Sequence, residues 1–274
     1  MEPLQIGVCS WSLKMPDIGD ALVAVKNDLG LNLVQIGFWD EAFKQTDRII
    51  KLIERTGLEV SATCIGFEGE DYSSIQRIAE TGGFKPNSEW PQRLAKTKAF
   101  ADFTAAINVR MLACHIGFVP HDKSDSMYAV MVDRLKQVCD VLAHRDLILV
   151  METGQERAEN LLEFIDAVER DNIRINFDPA NMILYGVGDP LEAVDILRDK
   201  IVHCHMKDAT WSKEPTKTWG EEVVLGTGQA NIPKLIGKLR SHGYAGPLVI
   251  EREAGDQRIS DIKTAIGLLE KVVG

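Results

Sequence analysis

Eight times along the chain, a short apolar run gives way to a longer segment whose apolar residues recur at helical spacing. "LQIGVCS" precedes "DALVAVKNDLG", "NLVQIGFW" precedes "EAFKQTDRIIKLIERTG", and "LEVSATCIGF" precedes "WPQRLAKTKAFADFTAAIN". "VRMLACHIGF", "DLILVMETG" and "IRINFDPAN" lead into "SDSMYAVMVDRLKQVCDVLAHR", "RAENLLEFIDAVER" and "DPLEAVDILRD". "IVHCHMKDA" and "GPLVIERE" lead into the last two helical segments, "NIPKLIGKLRSHG" and "SDIKTAIGLLEKVVG". The second helical segment places Phe43, Ile49, Ile50 and Ile53 on one face and ends at Gly57. Runs this short and this continuously apolar read as strands covered on both sides. Eight strand-helix units point to an α/β fold, a (β/α)8 TIM barrel, and 274 residues suit it. An open doubly wound sheet is the competing architecture, and it usually needs fewer strands. No composition shift or Pro/Ser-rich linker divides the chain, so residues 1–274 read as a single domain.

Charge narrows the partners. With 41 acidic and 31 basic side chains, the formal net charge is -10, which argues against global attraction to nucleic acid. The opening "MEPLQIGVCSWSL" lacks a basic segment followed by a long apolar stretch, so no signal peptide is expected. No apolar run approaches the roughly 18 residues that a membrane span needs. The five cysteines, Cys9, Cys64, Cys114, Cys139 and Cys204, are odd in number and form no CxxC pair. They read as reduced core thiols in a cytoplasmic protein.

Two connections are long, one after the third strand and one after the seventh. Both fall on the barrel's C-terminal face, where long loops build or cover a site. Phe67, Phe118, Trp211 and Trp219 are candidates for its apolar walls, while Glu68, Glu70 and Asp71 read as solvated loop acids. Strands five to eight end on or reach Glu152, Asp178, His205 and Glu251. Alternation along a strand lets all four point inward at similar depth. Each acid alone could cap a helix or bind a loop amide. Three carboxylates gathered at one mouth must protonate or share a cation. Three carboxylates and one imidazole suit Mn²⁺, Mg²⁺ or Co²⁺ better than structural zinc.

Other ligand types flank these four. His203 shares the parity of His205 and could donate to a carboxylate behind the ligands, or be an internally bonded core histidine. His115 ends strand four and could bind a substrate oxygen or a second metal. Lys207 could hold a substrate hydroxyl or pair with an acid, and Asp208 beside it is a second candidate for the layer behind the ligands. Asn181, three residues past Asp178, could cap a turn or contact substrate. Trp39 and Phe67, at the ends of strands two and three, join the candidate substrate-binding residues.

Taken in order, "ACHIG", "VMET", "NFDPAN", "VHCHMKD", "LGTG" and "VIERE" resemble the xylose isomerase-like barrel superfamily over essentially the whole chain. They are most similar to its sugar phosphate isomerase/epimerase branch, which includes tagatose/psicose 3-epimerases and inosose dehydratases. The resemblance implies metal ligation by Glu152, Asp178, His205 and Glu251. It also implies that Glu152 is the catalytic base, Glu251 the second acid/base, and His115 the strand-four histidine of many relatives. Departures exist. Asn181 stands where the 3-epimerases carry histidine, Cys64 lies near a second histidine position of the apurinic endonucleases, and the loop after strand seven offers no arginine. No Gly-rich loop with a basic partner marks a phosphate grip.

The expectation is a metal-dependent sugar isomerase or epimerase acting on a keto-sugar or related polyol through proton abstraction and a metal-stabilised enediolate. It would use one divalent ion, Mn²⁺ first, with Mg²⁺, Co²⁺ or Zn²⁺ as alternatives. A dehydratase of a keto-inositol-like substrate is the first alternative. A non-catalytic sugar-binding barrel and an apurinic-endonuclease-like hydrolase follow. The expected partner is a small sugar or polyol, with no nucleic acid and no membrane; a homo-oligomer would match relatives.

Overall fold

In the computed structural model, which describes residues 4–274, the apolar runs become a closed ring of parallel strands. β1 (Ile6–Cys9), β2 (Leu33–Phe38), β3 (Glu59–Ile65), β4 (Met111–Cys114), β5 (Ile148–Glu152), β6 (Ile173–Phe177) and β7 (Ile201–Met206) lie side by side in chain order. β8 (Asp208–Thr210) and β9 (Glu221–Val223) form a separate antiparallel hairpin. β10 (Leu248–Ile250) pairs with both β7 and β1 and closes the barrel. The chain is a (β/α)8 TIM barrel.

The helices are α1 (Ile18–Asn27), α2 (Thr46–Thr56), α3 (Ile75–Thr81), α4 (Trp90–Ala106), α5 (Ser126–Ala143), α6 (Ala158–Val168), α7 (Pro179–Tyr185), α8 (Pro190–Leu197), α9 (Ile232–Ser241) and α10 (Arg258–Val273). Their boundaries follow local chemistry. Asp17 and Asp125 accept backbone N–H bonds at the starts of α1 and α5, and Gly57 ends α2 at φ 63°. Phe43 is not on α2. It sits on a preceding 3₁₀ turn, where it packs edge-on against Phe100 at 5.0 Å, and Leu52 rather than Ile50 joins Ile49 in the core.

The barrel outside is covered by Leu, Ile, Val and Phe, and its upper interior is polar. Gln35, Ser61, Asn176, His203 and His205 are all buried there. The five cysteines are buried and free, as their spacing suggested. No helix among the described residues is long and apolar enough to cross a membrane. Three elements are absent from the sequence reading: α3, α7 and the β8–β9 hairpin. All three belong to connections at the C-terminal ends of the strands, and they shape the mouth.

Candidate metal centre and cavity

β5 delivers Glu152 on its last residue, and β7 delivers His205 one residue before its end. Asp178 and Glu251 lie one residue past β6 and β10. One ligand atom from each of the four lies within 4.8 Å of the others. The His205 Nδ1 atom is 2.8 Å from Glu152 Oε1, 3.4 Å from Glu251 Oε2 and 3.8 Å from Asp178 Oδ2. Its other nitrogen, Nε2, is 2.7 Å from the side-chain carbonyl oxygen of Gln35. An Nε2–H donating to that carbonyl leaves the Nδ1 lone pair turned toward the acids.

Asp178 tests what the cluster is built for. Its Oδ1 accepts from the Ala180 and Asn181 amides at 2.8 and 2.9 Å and so caps α7. Its backbone is locked to β5 by reciprocal bonds with the Thr153 hydroxyl. Its Oδ2 is wholly buried and has no hydrogen-bond donor aimed at it. A buried carboxylate oxygen without a donor is costly unless a cation faces it. Lys207 supplies part of that charge. Its Nζ lies 3.2 Å from Asp178 Oδ2, 2.5 Å from Glu251 Oε2 and 3.1 Å from Glu253 Oε2.

The field is strong in both directions. Burial opposes the charge on His205, but Cys9, Glu251 and Asp178 outweigh it and hold the imidazole well above its ordinary pKa. Burial would likewise raise Glu251, yet Lys207 and His205 hold its carboxyl well below the usual range. Surroundings that favour a proton on His205 Nδ1 also favour a metal cation there. The hard oxygen and imidazole donors fit an ion of the Mg²⁺ or Mn²⁺ type. Cys9, with Glu251 and His205, forms an overlapping group. Burial pushes that thiol up to about 12, which makes it a poor ligand at neutral pH.

A cavity of about 450 Å³ opens above these residues. His115, Asn181, Lys207, Trp39 and Phe67 all line it, together with Glu152 and Glu251. His115 Nε2 is 2.9 Å from Gln155 Oε1, while the Gln155 amide donates to the Gly117 carbonyl at 3.1 Å. That chain makes Nε2 the protonated nitrogen. The buried Nδ1 keeps its lone pair and has no partner. Phe67 is mostly core, with the Arg93 guanidinium 5.2 Å over its ring.

Several expectations need correction. Asp208 does not face the four clustered residues. It accepts from the amides of Ala209, Gly226, Gly228 and Ala230 and so ties down the "LGTG" segment. His203 reaches no carboxylate. It contacts Asn176 Oδ1 at 2.8 Å and Ser61 Oγ at 3.1 Å, and burial keeps it well below its ordinary pKa and neutral. Of the two roles expected for Lys207, the structure shows the pairing with acids, Asp178, Glu251 and Glu253. Trp219 lines the cavity, but Phe118 packs behind Tyr185 and Trp211 packs on the core. Glu70 is no solvated loop acid, since it accepts from the amides of Phe67 and Gly83 and lines the cavity.

Other contributors escaped the sequence reading. Gln35 is the one strongly polar side chain within "LVQIGF", and that placement was its signal. Trp11, just past β1, donates from Nε1 to Glu251 Oε1 at 2.9 Å. Glu253 shares the parity of Glu251. Half of its side chain stays open to solvent, yet crowding in the mouth and the nearby Glu251 push its carboxyl up to about 7.

The sequence profile of the xylose isomerase-like TIM barrel family matches residues 23–272. No curated protein sequence matches the chain. Among solved structures, a xylose isomerase domain protein from Planctomyces limnophilus is 34% identical with a TM-score of 0.91, over 99% of this chain and 98% of that one. A 3-keto-D-glucoside 4-epimerase from E. coli is 16% identical with a TM-score of 0.75, over 98% and 99%. A xylose isomerase-like TIM barrel protein from Mycobacterium smegmatis, in complex with magnesium, is 13% identical with a TM-score of 0.72, over 100% of both chains.

Proposed function

The chain belongs to the xylose isomerase-like TIM barrel family, and on that premise we propose that it is a divalent-metal-dependent isomerase or epimerase of a keto-sugar or related polyol. The observation that carries this reading is the convergence of Glu152, Asp178, His205 and Glu251, with Asp178 Oδ2 buried and lacking a donor. These four residues would hold the ion. When bound, it would polarise a substrate carbonyl and stabilise negative charge developing on its oxygen.

The chain's own side chains account for the proton chemistry. Glu152 is the more open of the two glutamates, and its Oε1 lies 2.8 Å from His205 Nδ1. It takes the proton from the carbon next to the carbonyl, and the electron pair of that C–H bond moves toward the carbonyl oxygen. Glu251, fixed by Trp11 and Lys207, stands on another strand and relays a proton from the Lys207 ammonium that donates to it to the opposite face. Return to the same carbon inverts it, and return to its neighbour interconverts aldose and ketose. His115, Asn181 and the aromatic walls orient the hydroxyls. A magnesium complex among the structural neighbours supports a divalent ion, and epimerases among them support the sugar chemistry.

The test is solvent deuterium exchange into a panel of ketoses and inososes with Mn²⁺ or Mg²⁺ added. Exchange at one carbon, abolished in Glu152→Gln with the fold intact, is the expected result. Loss of water without exchange into recovered substrate would instead identify a dehydratase. Binding without either outcome would leave a sugar-binding barrel.

A further inference from the structure

Two large apolar side chains stand out to solvent among the described residues, Trp39 at 41% and Tyr72 at 49%, and both line the cavity over the acids. Trp39 is firmly seated. Its indole lies against Gly66, where an added Cβ would come within 2.1 Å of the ring, and against Gly37. Lys96 clamps this corner by donating to the carbonyls of Trp39 and Gly66 at 2.7 and 2.8 Å. Trp11 packs edge-on against Trp39 at 5.3 Å. On the far side of this tryptophan pair lies a second groove of about 660 Å³, lined by Asp17, Asp40, Gln45, Arg48 and Glu68. Trp11 and Trp39 line both spaces, so the groove adjoins the cavity with the indoles as their common wall.

Charge and size define what fits. Arg48 in the groove is paired with Asp17 at 2.6 Å, and Lys207 in the cavity is held by its carboxylates. An anionic ligand would meet unpaired acids and no free cation among the described lining residues. A hexose occupies on the order of 200 Å³ at interior packing density. That is under half of the 450 Å³ over the acids. Resting on the enolising-site reading above, we propose that the groove is an outer subsite for the second ring of a neutral, unphosphorylated disaccharide or glycoside. The first ring sits over Glu152 and Glu251. The indole of Trp39 stacks against C–H faces at the junction, and Asp40, Gln45 and Glu68 accept or donate hydrogen bonds to hydroxyls beyond it.

The test titrates the Mn²⁺-loaded protein calorimetrically with neutral disaccharides, their constituent monosaccharides and the corresponding 6-phosphates. At least one disaccharide should bind tenfold or more tightly than either constituent, and no phosphate should exceed its parent sugar. Ala42→Trp, which fills the groove, should erase the disaccharide advantage and leave the monosaccharide Kd within twofold. Glu68→Ala, an exposed side-chain truncation, should lower disaccharide affinity severalfold and serves if the bulky variant does not fold. The subsite is overturned if no sugar saturates, if phosphates bind best, if disaccharides hold no advantage, or if both variants weaken one-ring and two-ring ligands equally. Failure of the enolising reading has a different signature: disaccharides whose inner unit is a ketose bind with their preference intact, yet no deuterium enters them.

Discussion

Asp178 separates a structural from a chemical role within one side chain. Its Oδ1 caps α7 through two amides, and its Oδ2 faces Lys207 and His205 without a hydrogen bond. Asp178→Asn keeps a good capping oxygen and removes the charge, whereas Asp178→Ala removes both. Losing an N-cap costs about 1–2 kcal/mol. A chain of 274 residues shifts by about 2 °C per kcal/mol, so the Ala variant should melt about 2–4 °C below the Asn variant. A ligand at a hundred times its Kd stabilises by about 2.7 kcal/mol, or roughly 5 °C here. Thermal unfolding with and without Mn²⁺ should therefore show about 5 °C of gain in the wild type. At the same Mn²⁺ concentration, Asp178→Asn should gain almost nothing. If Asp178→Asn responds to Mn²⁺ as the wild type does, the carboxylate is only a cap and the metal reading fails.

Three further changes probe its surroundings. Gln35→Met removes the carbonyl facing His205 Nε2 and should weaken Mn²⁺ binding about 10- to 100-fold by calorimetry. Unchanged affinity would remove Gln35 from the arrangement. Glu156 is buried, and desolvation raises its carboxyl from 4.5 to about 8 despite the Val119 amide. Between those pH values the unfolded chain has lost a proton that the folded one keeps, so stability falls as pH rises, by up to about 1.4 kcal/mol per pH unit. Urea unfolding of Glu156→Gln should lack that slope and be the more stable protein at pH 8; an unchanged slope refutes it. Gly66→Ala drives a methyl into the Trp39 indole and should destabilise by about 1–3 kcal/mol, with a visible change in tryptophan fluorescence. A silent substitution there would mean that Trp39 is free to move.

The barrel was legible because each β strand is covered on both sides and each helix carries one apolar face. Period and run length therefore encode the ring directly. The convergence of Glu152, Asp178, His205 and Glu251 was legible for a related reason, since strand ends in consecutive units come to equal depth. What the sequence hid was made by connections. Asp178 itself caps α7, so a seven-residue helix looked like a loop after a strand. The β8–β9 hairpin has three-residue strands, too short for any alternation to register. Asp208 shares a motif with His205 but turns to four loop amides, because it opens β8 three residues on from His205 and so lies out of phase with it. Gln35 and Trp11 act through partners far away in sequence, which no local pattern records.

The most direct test of the central claim is a crystal of the protein grown with Mn²⁺ and measured at the manganese absorption edge. The expected result is one anomalous peak within about 2.0–2.4 Å of His205 Nδ1 and of an oxygen from each of Glu152, Asp178 and Glu251. A map with no peak at that point, or with manganese held by other side chains, would contradict it.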